Sequence, residues 1–191
     1  MCLREKTEIR QHIRAERRNV TPAQHHRWSA TICEQLLAHP AVRRAATIYA
    51  YHPLPDEPDI WPLILQLHRQ GKTILLPHIL SDTQMTFLPY TGEDQLKEGP
   101  YHIMQPSSTL SPTKTGEAGT DSCSCFLIPG MAFTADGKRL GRGKGYYDRY
   151  LAHARLSPHT THLIGICYPY QIINHIPTDK YDIPMNEVLV P

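Results

Sequence analysis

The sequence lacks any apolar run approaching the ~20 residues that a helix needs to cross a bilayer, which excludes the usual helical membrane protein. Its first residues are already charged and contain no apolar signal core, so export is not expected. It also lacks a C-x-x-C pair, and its 5 cysteines are unevenly spaced, which disfavours a zinc site or a disulfide framework. We therefore expect a soluble, cytoplasmic protein with reduced cysteines and no membrane contact.

Neither sign of charge dominates the chain. A net charge of +2 at pH 7 is too small to indicate nucleic-acid binding by itself, and the hydrophobic fraction of 40% is ordinary for a globular protein. The 191 residues fit one domain, which we expect to span 1–191.

The segment 107–122 is rich in Ser, Thr, Gly, Pro and Lys, so it is predicted to be a flexible surface insertion.

Strand and helix patterns alternate along the chain. Apolar runs at Ala45–Tyr51 and Lys72–Pro77 flank a predicted helix from about Ile60 to Gln70, and this order indicates parallel strands. Another helix is predicted to begin at Thr21-Pro22 and to end at His39-Pro40. Further strands are predicted at Met85–Pro89, Phe126–Pro129, Leu163–Tyr168 and Val188–Val190. An α/β fold with a mostly parallel sheet follows.

The first predicted helix, Leu3 to about Arg18, carries a stripe of cations. They recur at four-residue intervals, at Lys6, Arg10, Arg14 and Arg18. Glutamates lie among them, so a solvated surface with i,i+4 ion pairs explains the stripe as well as a binding site does.

The most informative segment is the basic loop, Arg139–Asp148, which precedes a helix predicted from near Gly145 to about Ala154. Its glycines alternate with cations in the order Gly141, Arg142, Gly143, Lys144, Gly145. Glycines let backbone N–H groups approach an anion, the cations supply charge, and the following helix adds its dipole. This combination predicts a polyphosphate site and an enzyme that uses ATP.

The basic loop fails two better-known phosphate motifs. Gly145-Tyr146 occupies the positions where Walker A needs Lys and Ser/Thr, and the third glycine comes one residue early for G-x-G-x-x-G, which disfavours a nicotinamide cofactor. A flexible arginine–glycine turn and an RNA-contacting segment remain open as alternatives. Asp148 is either an ion-pair partner of the neighbouring cations or a Mg²⁺ ligand beside a nucleotide, and we favour the metal role.

The segment Pro129-Gly-x-x-Phe133, followed by Gly137-x-Arg139-Leu-Gly-Arg-Gly-x-Gly-Tyr-Tyr-Asp148, resembles the hallmark of the 5-formyltetrahydrofolate cyclo-ligase family. The resemblance covers nearly the whole chain except about 107–122. It implies a single three-layer α/β domain, Rossmann-like and of the NagB/RpiA/CoA transferase-like type, whose mostly parallel sheet is flanked by helices. It also implies ATP- and Mg²⁺-dependent conversion of 5-formyltetrahydrofolate into 5,10-methenyltetrahydrofolate, ADP and phosphate. We expect a monomer that binds no nucleic acid.

The resemblance further implies roles for individual residues. Those expected to bind ATP are Lys6, Arg10, Arg139, Leu140, Gly141, Arg142, Gly143, Lys144, Gly145, Tyr146 and Tyr147. Those expected to bind the folate are Arg10, His52, Glu57, Arg142, Gly143, Lys144, Gly145 and Tyr146. Arg142, Lys144 and Tyr147 are the expected catalytic residues. Asp148 and Asp182 are the expected Mg²⁺ ligands, while Tyr101 is left open between stacking on a substrate and simple packing.

Two rival hypotheses remain at this stage. A relative with the same fold and phosphate loop could use a different acceptor, because neither feature fixes the substrate. An RNA-binding module could instead use the cations of Arg4–Arg18 and Arg139–Arg149.

Overall fold

The computed structural model describes residues 2–107, 123–154 and 160–191. Its α-helices are α1 (Cys2–Arg17), α2 (Pro22–Ala38), α3 (Pro40–Arg44), α4 (Trp61–Arg69) and α5 (Tyr146–His153). Its strands are β1 (Thr47–Tyr49), β2 (Thr73–Ile79), β3 (Met85–Pro89), β4 (Leu96–Glu98), β5 (Met104–Pro106), β6 (Ser124–Pro129), β7 (Ala132–Phe133), β8 (Arg139–Leu140), β9 (Thr161–Ile166) and β10 (Glu187–Leu189). Among the described helices, none has both the length and the apolar content needed to span a membrane.

A six-stranded sheet in the order β10-β9-β6-β1-β2-β3 forms the centre of the molecule. All neighbouring pairs are parallel except β2 and β3, which are antiparallel. Only residues 80–84 separate β2 from β3, too few for the crossover that a parallel pair requires. The predicted α/β class, with a mostly parallel sheet flanked by helices, is confirmed.

Two short antiparallel ribbons escaped the sequence analysis. One pairs β4 with β5, and the other pairs β7 with β8. Strands of two or three residues are too short to show an alternating pattern, so the sequence predicts at most an extended segment, at Tyr101–Pro106, and neither pairing. The β7–β8 ribbon matters most, because it leads the chain from the end of β6 to the basic loop.

The predicted start of α2 is confirmed in detail. The Thr21 hydroxyl accepts a hydrogen bond from the backbone N–H of Gln24 at 3.2 Å, and Pro22 occupies the first helical turn. The chain is extended at His39, where α2 ends, and then forms the short helix α3, which the sequence did not indicate. Of the predicted insertion, Ser107 is buried at the end of β5, and residues 108–122 lie outside the described residues.

The sheet separates two apolar layers, because successive strand residues point to opposite faces. On one side Ile48 and Leu127 pack with α2, α3 and α4, and on the other Tyr49 and Phe126 pack with α5. A smaller cluster attaches α1 to the β7–β8 ribbon through Ile13. This attachment sets the polar face of α1 against the basic loop.

We predict that Gly165→Ala destabilises the fold by about 1–3 kcal/mol. Gly165 lies in β9, where a Cβ atom would stand 2.5 Å from Cε1 of the Phe133 ring and 3.2 Å from Cγ of Met185. Urea unfolding of wild type and variant measures the change in the free energy of unfolding.

The matched control is Gly71→Asn. Gly71 has φ +82° with no atom within 4 Å of a would-be Cβ, and asparagine tolerates this backbone conformation after a helix. Equal effects of the two substitutions would contradict the packing argument.

Candidate active site

A cleft opens where the carboxyl ends of β1, β2 and β6 meet. Its empty volume, including open solvent at the mouth, is about 760 Å³. The chain crosses from β1 to β2 on one side and returns to β6 on the other, so the cleft lies at the switch point of the sheet, where open α/β proteins hold ligands. Tyr51 and His52 follow β1 into the cleft, Pro129 and Gly130 follow β6, and the basic loop forms a wall.

The glycines of the basic loop have the conformational role expected of them at two positions. Gly143 and Gly145 take φ values of +110° and +65°, which residues with a side chain rarely adopt. Gly145 directly precedes α5, so the loop presents the start of that helix to the cleft. Arg10 of α1 secures the other end of the loop, since its Nε donates to the Gly141 carbonyl at 2.9 Å.

Arg139, which is buried, and Asp148, which is partly exposed, form an ion pair at the base of the basic loop. Nη2 of Arg139 lies 3.0 Å from both carboxylate oxygens of Asp148, and its Nη1 donates to the Pro129 carbonyl at 3.3 Å. The Arg139 guanidinium also lies 5.3 Å from the centre of the Tyr147 ring. Its buried Nε makes no hydrogen bond to the described residues. Asp148 is therefore held as an ion-pair partner, one of the two roles that the sequence left open.

Asp182, the other predicted Mg²⁺ ligand, is likewise paired with a cation. Lys6 of α1 donates to Asp182 Oδ2 at 2.8 Å and lies 3.5 Å from Asp179 Oδ2. Neither Lys6 nor Asp182 lines the cleft. The side chain of Leu140 packs in the core with Ile13, which restricts any contact of Leu140 with a nucleotide to its backbone.

The donor chemistry of Asp148 and Asp182 fits Mg²⁺, which prefers hard carboxylate oxygens. Both side chains are about one-fifth exposed, at 20% each, so solvent ions reach them. In the described part of the chain, no group of three or more His, Cys, Asp or Glu residues forms a metal cluster. Mg²⁺ commonly binds through one or two carboxylates plus substrate phosphates, and of these two carboxylates Asp148 lines the cleft.

Arg142 joins the basic loop to the loop after β1. Its Nε and Nη2 donate to Glu57 Oε1 at 3.2 and 3.0 Å, and its Nη1 donates to Asp56 Oδ2 at 3.0 Å. Nη2 also contacts Asp56 Oδ1. The second oxygen of Glu57 accepts the backbone N–H of Leu54 at 3.0 Å, so both oxygens of this carboxylate are hydrogen-bonded.

The two carboxylates respond differently to this shared guanidinium. Burial raises the pKa of Glu57, and Arg142 offsets that effect only in part. Burial acts in the same direction on Asp56 but is outweighed by the hydrogen bonds and charge of Arg142, so the pKa of Asp56 is lowered. Because Glu57 is more deeply buried than Asp56, its charge loses more hydration, and Arg142 makes up for less of that loss.

The aromatic residues of the basic loop occupy contrasting positions. Burial raises the pKa of the Tyr147 phenol well above its ordinary value, so this group stays protonated at neutral pH. Tyr146 donates to the Ser81 carbonyl at 3.0 Å on the rim. Tyr101 is 46% exposed, with its ring 5.4 Å from the Lys144 ammonium, so it is not a core packing residue.

Most of the residues predicted to bind the folate line the cleft, whereas Arg10 and Gly143 do not. The His52 ring lies 4.6 Å from the Trp61 ring, and burial lowers the pKa of His52, so a neutral imidazole lines the cleft. The pairing role of Asp56 was not predicted, because in sequence it resembles any other acid in a proline-rich loop. The structural role of Arg149 was not predicted either: its Nε donates to the Thr83 carbonyl at 2.7 Å and fixes α5 beside the loop that follows β2.

The switch-point cleft and the cationic glycine loop define an α/β enzyme built to hold an anionic ligand. Residues 3–191 match the model of the 5-formyltetrahydrofolate cyclo-ligase family. The chain therefore belongs to that family, as its sequence motifs indicated.

Individual relatives agree with this assignment over almost their full lengths. The chain is 29% identical to the 5-formyltetrahydrofolate cyclo-ligase of Escherichia coli (strain K12), covering 94% of this chain and 96% of that one. It is 27% identical to the Mus musculus enzyme of the same name, covering 96% and 90%. The NMR structure of Aquifex aeolicus 5,10-methenyltetrahydrofolate synthetase superimposes with a TM-score of 0.80 at 26% identity, covering 97% of this chain and 89% of the other.

We predict that Glu57→Gln becomes more stable relative to wild type as the pH rises. Because the folded-state pKa of Glu57 is raised, its stabilising contribution is complete below pH 4.5, the ordinary value, and is lost as the pH rises through the raised value. Glutamine cannot ionise and escapes this loss. Thermal unfolding of both proteins from pH 4 to 8 measures the difference.

Gln35→Asn, on the exposed face of α2, serves as the control, because it adds and removes no titratable group and should give a difference that is flat with pH. A relative stability of Glu57→Gln that falls as the pH rises would contradict the prediction.

Proposed function

We propose that the chain converts 5-formyltetrahydrofolate and ATP into 5,10-methenyltetrahydrofolate, ADP and phosphate, with Mg²⁺ as cofactor. Membership of the cyclo-ligase family supports the activity. The observation that carries the proposal is the contact between Glu57 and Arg142, which sets a carboxylate acceptor and a phosphate-binding cation side by side in one cleft. Both substrates must meet at such a point for a group to pass between them.

Glu57 is proposed to bind the pterin part of the folate. An amino-pyrimidine presents adjacent N–H donors, for which a carboxylate is the natural two-pronged acceptor. The Leu54 N–H fixes the orientation of this carboxylate, while burial restricts it to a ligand inside the cleft. His52, Ile79, Met85 and Ile103 provide apolar and aromatic wall for the rings. Arg10, beside the basic loop, is proposed to reach both substrates.

The basic loop is proposed to hold the triphosphate. The left-handed backbone at Gly143 and Gly145 would let N–H groups turn towards the phosphates, and Arg142 and Lys144, which line the cleft, would neutralise their charge. A hydrogen bond with Tyr101 raises the pKa of Lys144, which keeps this ammonium charged at neutral pH. Lys6 and Arg139, which now pair with Asp182 and Asp148, complete the cationic surroundings.

The chemistry needs no enzyme nucleophile. The formyl oxygen attacks the γ-phosphorus and ADP leaves, after which N10 attacks the activated formyl carbon. Phosphate departs with the former formyl oxygen, and the N10 proton is released as the ring closes. Phosphoryl transfer depends mainly on positioning and charge neutralisation, which Arg142 and Lys144 are placed to supply. Tyr147, which stays protonated, is proposed to assist as a neutral hydrogen-bonding group and not as a base.

Mg²⁺ would neutralise phosphate charge when bound, and Asp148 and Asp182 are its proposed ligands. Both carboxylates would exchange part of their present ion pairs for it. We also propose a cytoplasmic monomer that binds no nucleic acid. The positions of Arg10, Arg139 and Arg142 argue against an RNA-binding module, because these cations are engaged with backbone or carboxylate groups around one cleft.

The direct test incubates purified protein with 5-formyltetrahydrofolate and MgATP and follows the near-ultraviolet absorbance of the methenyl product. We expect product formation that requires both substrates and stops when EDTA removes Mg²⁺. Intact nucleotide binding without any methenyl product would refute the folate substrate and favour a relative with another acceptor.

We predict that Arg142→Ala and Lys144→Ala each reduce kcat by about 10²-fold or more, because each removes a cation that balances developing charge on the transferred phosphoryl group. Lys138→Ala is the matched control, since Lys138 lies in the turn before the basic loop and pairs with Asp136 at the surface. The same absorbance assay measures all three variants. Near-normal turnover of either loop variant would contradict the loop assignment.

A further inference from the structure

The guanidinium of Arg142 is almost fully occupied by two consecutive carboxylates. A guanidinium carries five N–H donors. Here 4 hydrogen bonds run to Asp56 and Glu57, and they use all three of its nitrogens. Little donor capacity remains for a third anion. A nucleotide phosphate that binds Arg142 must therefore displace at least one carboxylate.

The two carboxylates differ in what they can do for a substrate. In the proposed function, Glu57 has its own ligand, the pterin. Asp56 has none, yet its two oxygens meet Nη1 and Nη2 of Arg142 in the fork geometry that also suits phosphate. Asp56 thus occupies the edge of the guanidinium, with its Nη1 and Nη2 donors, that a phosphate would use.

The loop that carries Asp56 is held in place independently of Arg142. Nη2 of Arg17, on α1, donates to the Pro55 carbonyl at 2.9 Å. Prolines at 53, 55 and 58 restrict the backbone around the acid. Asp56 is consequently fixed in advance, and it pays little conformational entropy when it engages the guanidinium.

The geometry points to Asp56 as a restraining residue that competes with nucleotide phosphates for Arg142, and so weakens nucleotide binding to the folate-free protein. This inference rests on the proposed function. The two carboxylates offset the positive charge of Arg142 at the point where a polyanion must enter. When the pterin takes Glu57, Arg142 keeps only its pair with Asp56. That pair is partly exposed and therefore weak, so phosphate then displaces it readily.

The test measures the affinity of a non-hydrolysable ATP analogue with Mg²⁺ by calorimetry, without folate. Asp56→Asn should bind the analogue about fivefold more tightly than wild type, the gain expected when one partly exposed charge pair no longer competes. Asp56→Glu restores the charge and should return towards the wild-type affinity. A role in folding alone could not strengthen binding.

The matched control is Asp59→Asn. Asp59 lies on the same loop and accepts the backbone N–H of Trp61 at 3.0 Å, a hydrogen bond that asparagine can also accept, and it should leave the affinity unchanged. Unchanged or weaker binding by Asp56→Asn would overturn the inference, as would an equal gain in Asp59→Asn, which would indicate a general charge effect. Thermal unfolding checks each variant, and Asp56→Ser carries the test should Asp56→Asn fail to fold.

The wild-type measurement separates this inference from the proposed function. Wild type that neither binds the analogue nor forms methenyl product would refute the function, and the inference with it. Wild type that does both, beside an Asp56→Asn variant with no gain in affinity, would refute the role of Asp56 alone.

Discussion

The pairing of buried Glu57 with Arg142 is the interaction on which the cleft depends. A carboxylate with so little exposure cannot lose its partner without a large cost, so the loop after β1 and the basic loop must stay together. The sheet brings the two loops together, because β1 and β6 are adjacent and parallel, so the segments that follow these strands leave the sheet at the same edge. The topology of the sheet therefore creates the cleft, and the ion pair between Arg142 and Glu57 holds its two walls together.

Helix α1 reinforces the same arrangement from outside the sheet. Its cations are distributed among separate segments, since Arg10 binds the basic loop, Arg17 binds the loop of Asp56, and Lys6 binds Asp182. Arg4, in contrast, forms an exposed i,i+4 pair with Glu8. Within the cationic stripe, Lys6 and Arg10 thus contact other segments of the chain, whereas Arg4, outside the stripe, forms only the local pair typical of a solvated helix surface. A helix with few buried apolar residues is attached largely through these polar contacts.

Local chemistry made much of this structure predictable. Proline, threonine and glycine signals marked α2 and α4, apolar runs marked the strands of the central sheet, and Gly143 and Gly145 indicated an unusual backbone. The pairings could not be predicted, because they join distant parts of the chain. Arg142 and Glu57 are 85 positions apart, and no periodicity links them. Asp56 illustrates the limit, since only the folded arrangement distinguishes it from other loop acids.

A common principle connects the proposed ligand residues. Asp148, Asp182 and Glu57 are already paired, with Arg139, Lys6 and Arg142 respectively. Binding of the proposed substrates and Mg²⁺ would then exchange one charged partner for another without creating an isolated buried carboxylate. Such exchange avoids the desolvation penalty of an unpaired ion, and it keeps the side chains ordered before the ligands arrive. The role proposed for Asp56 follows the same logic, because the strength of the carboxylate partners of Arg142 would set how tightly a phosphate binds to that guanidinium.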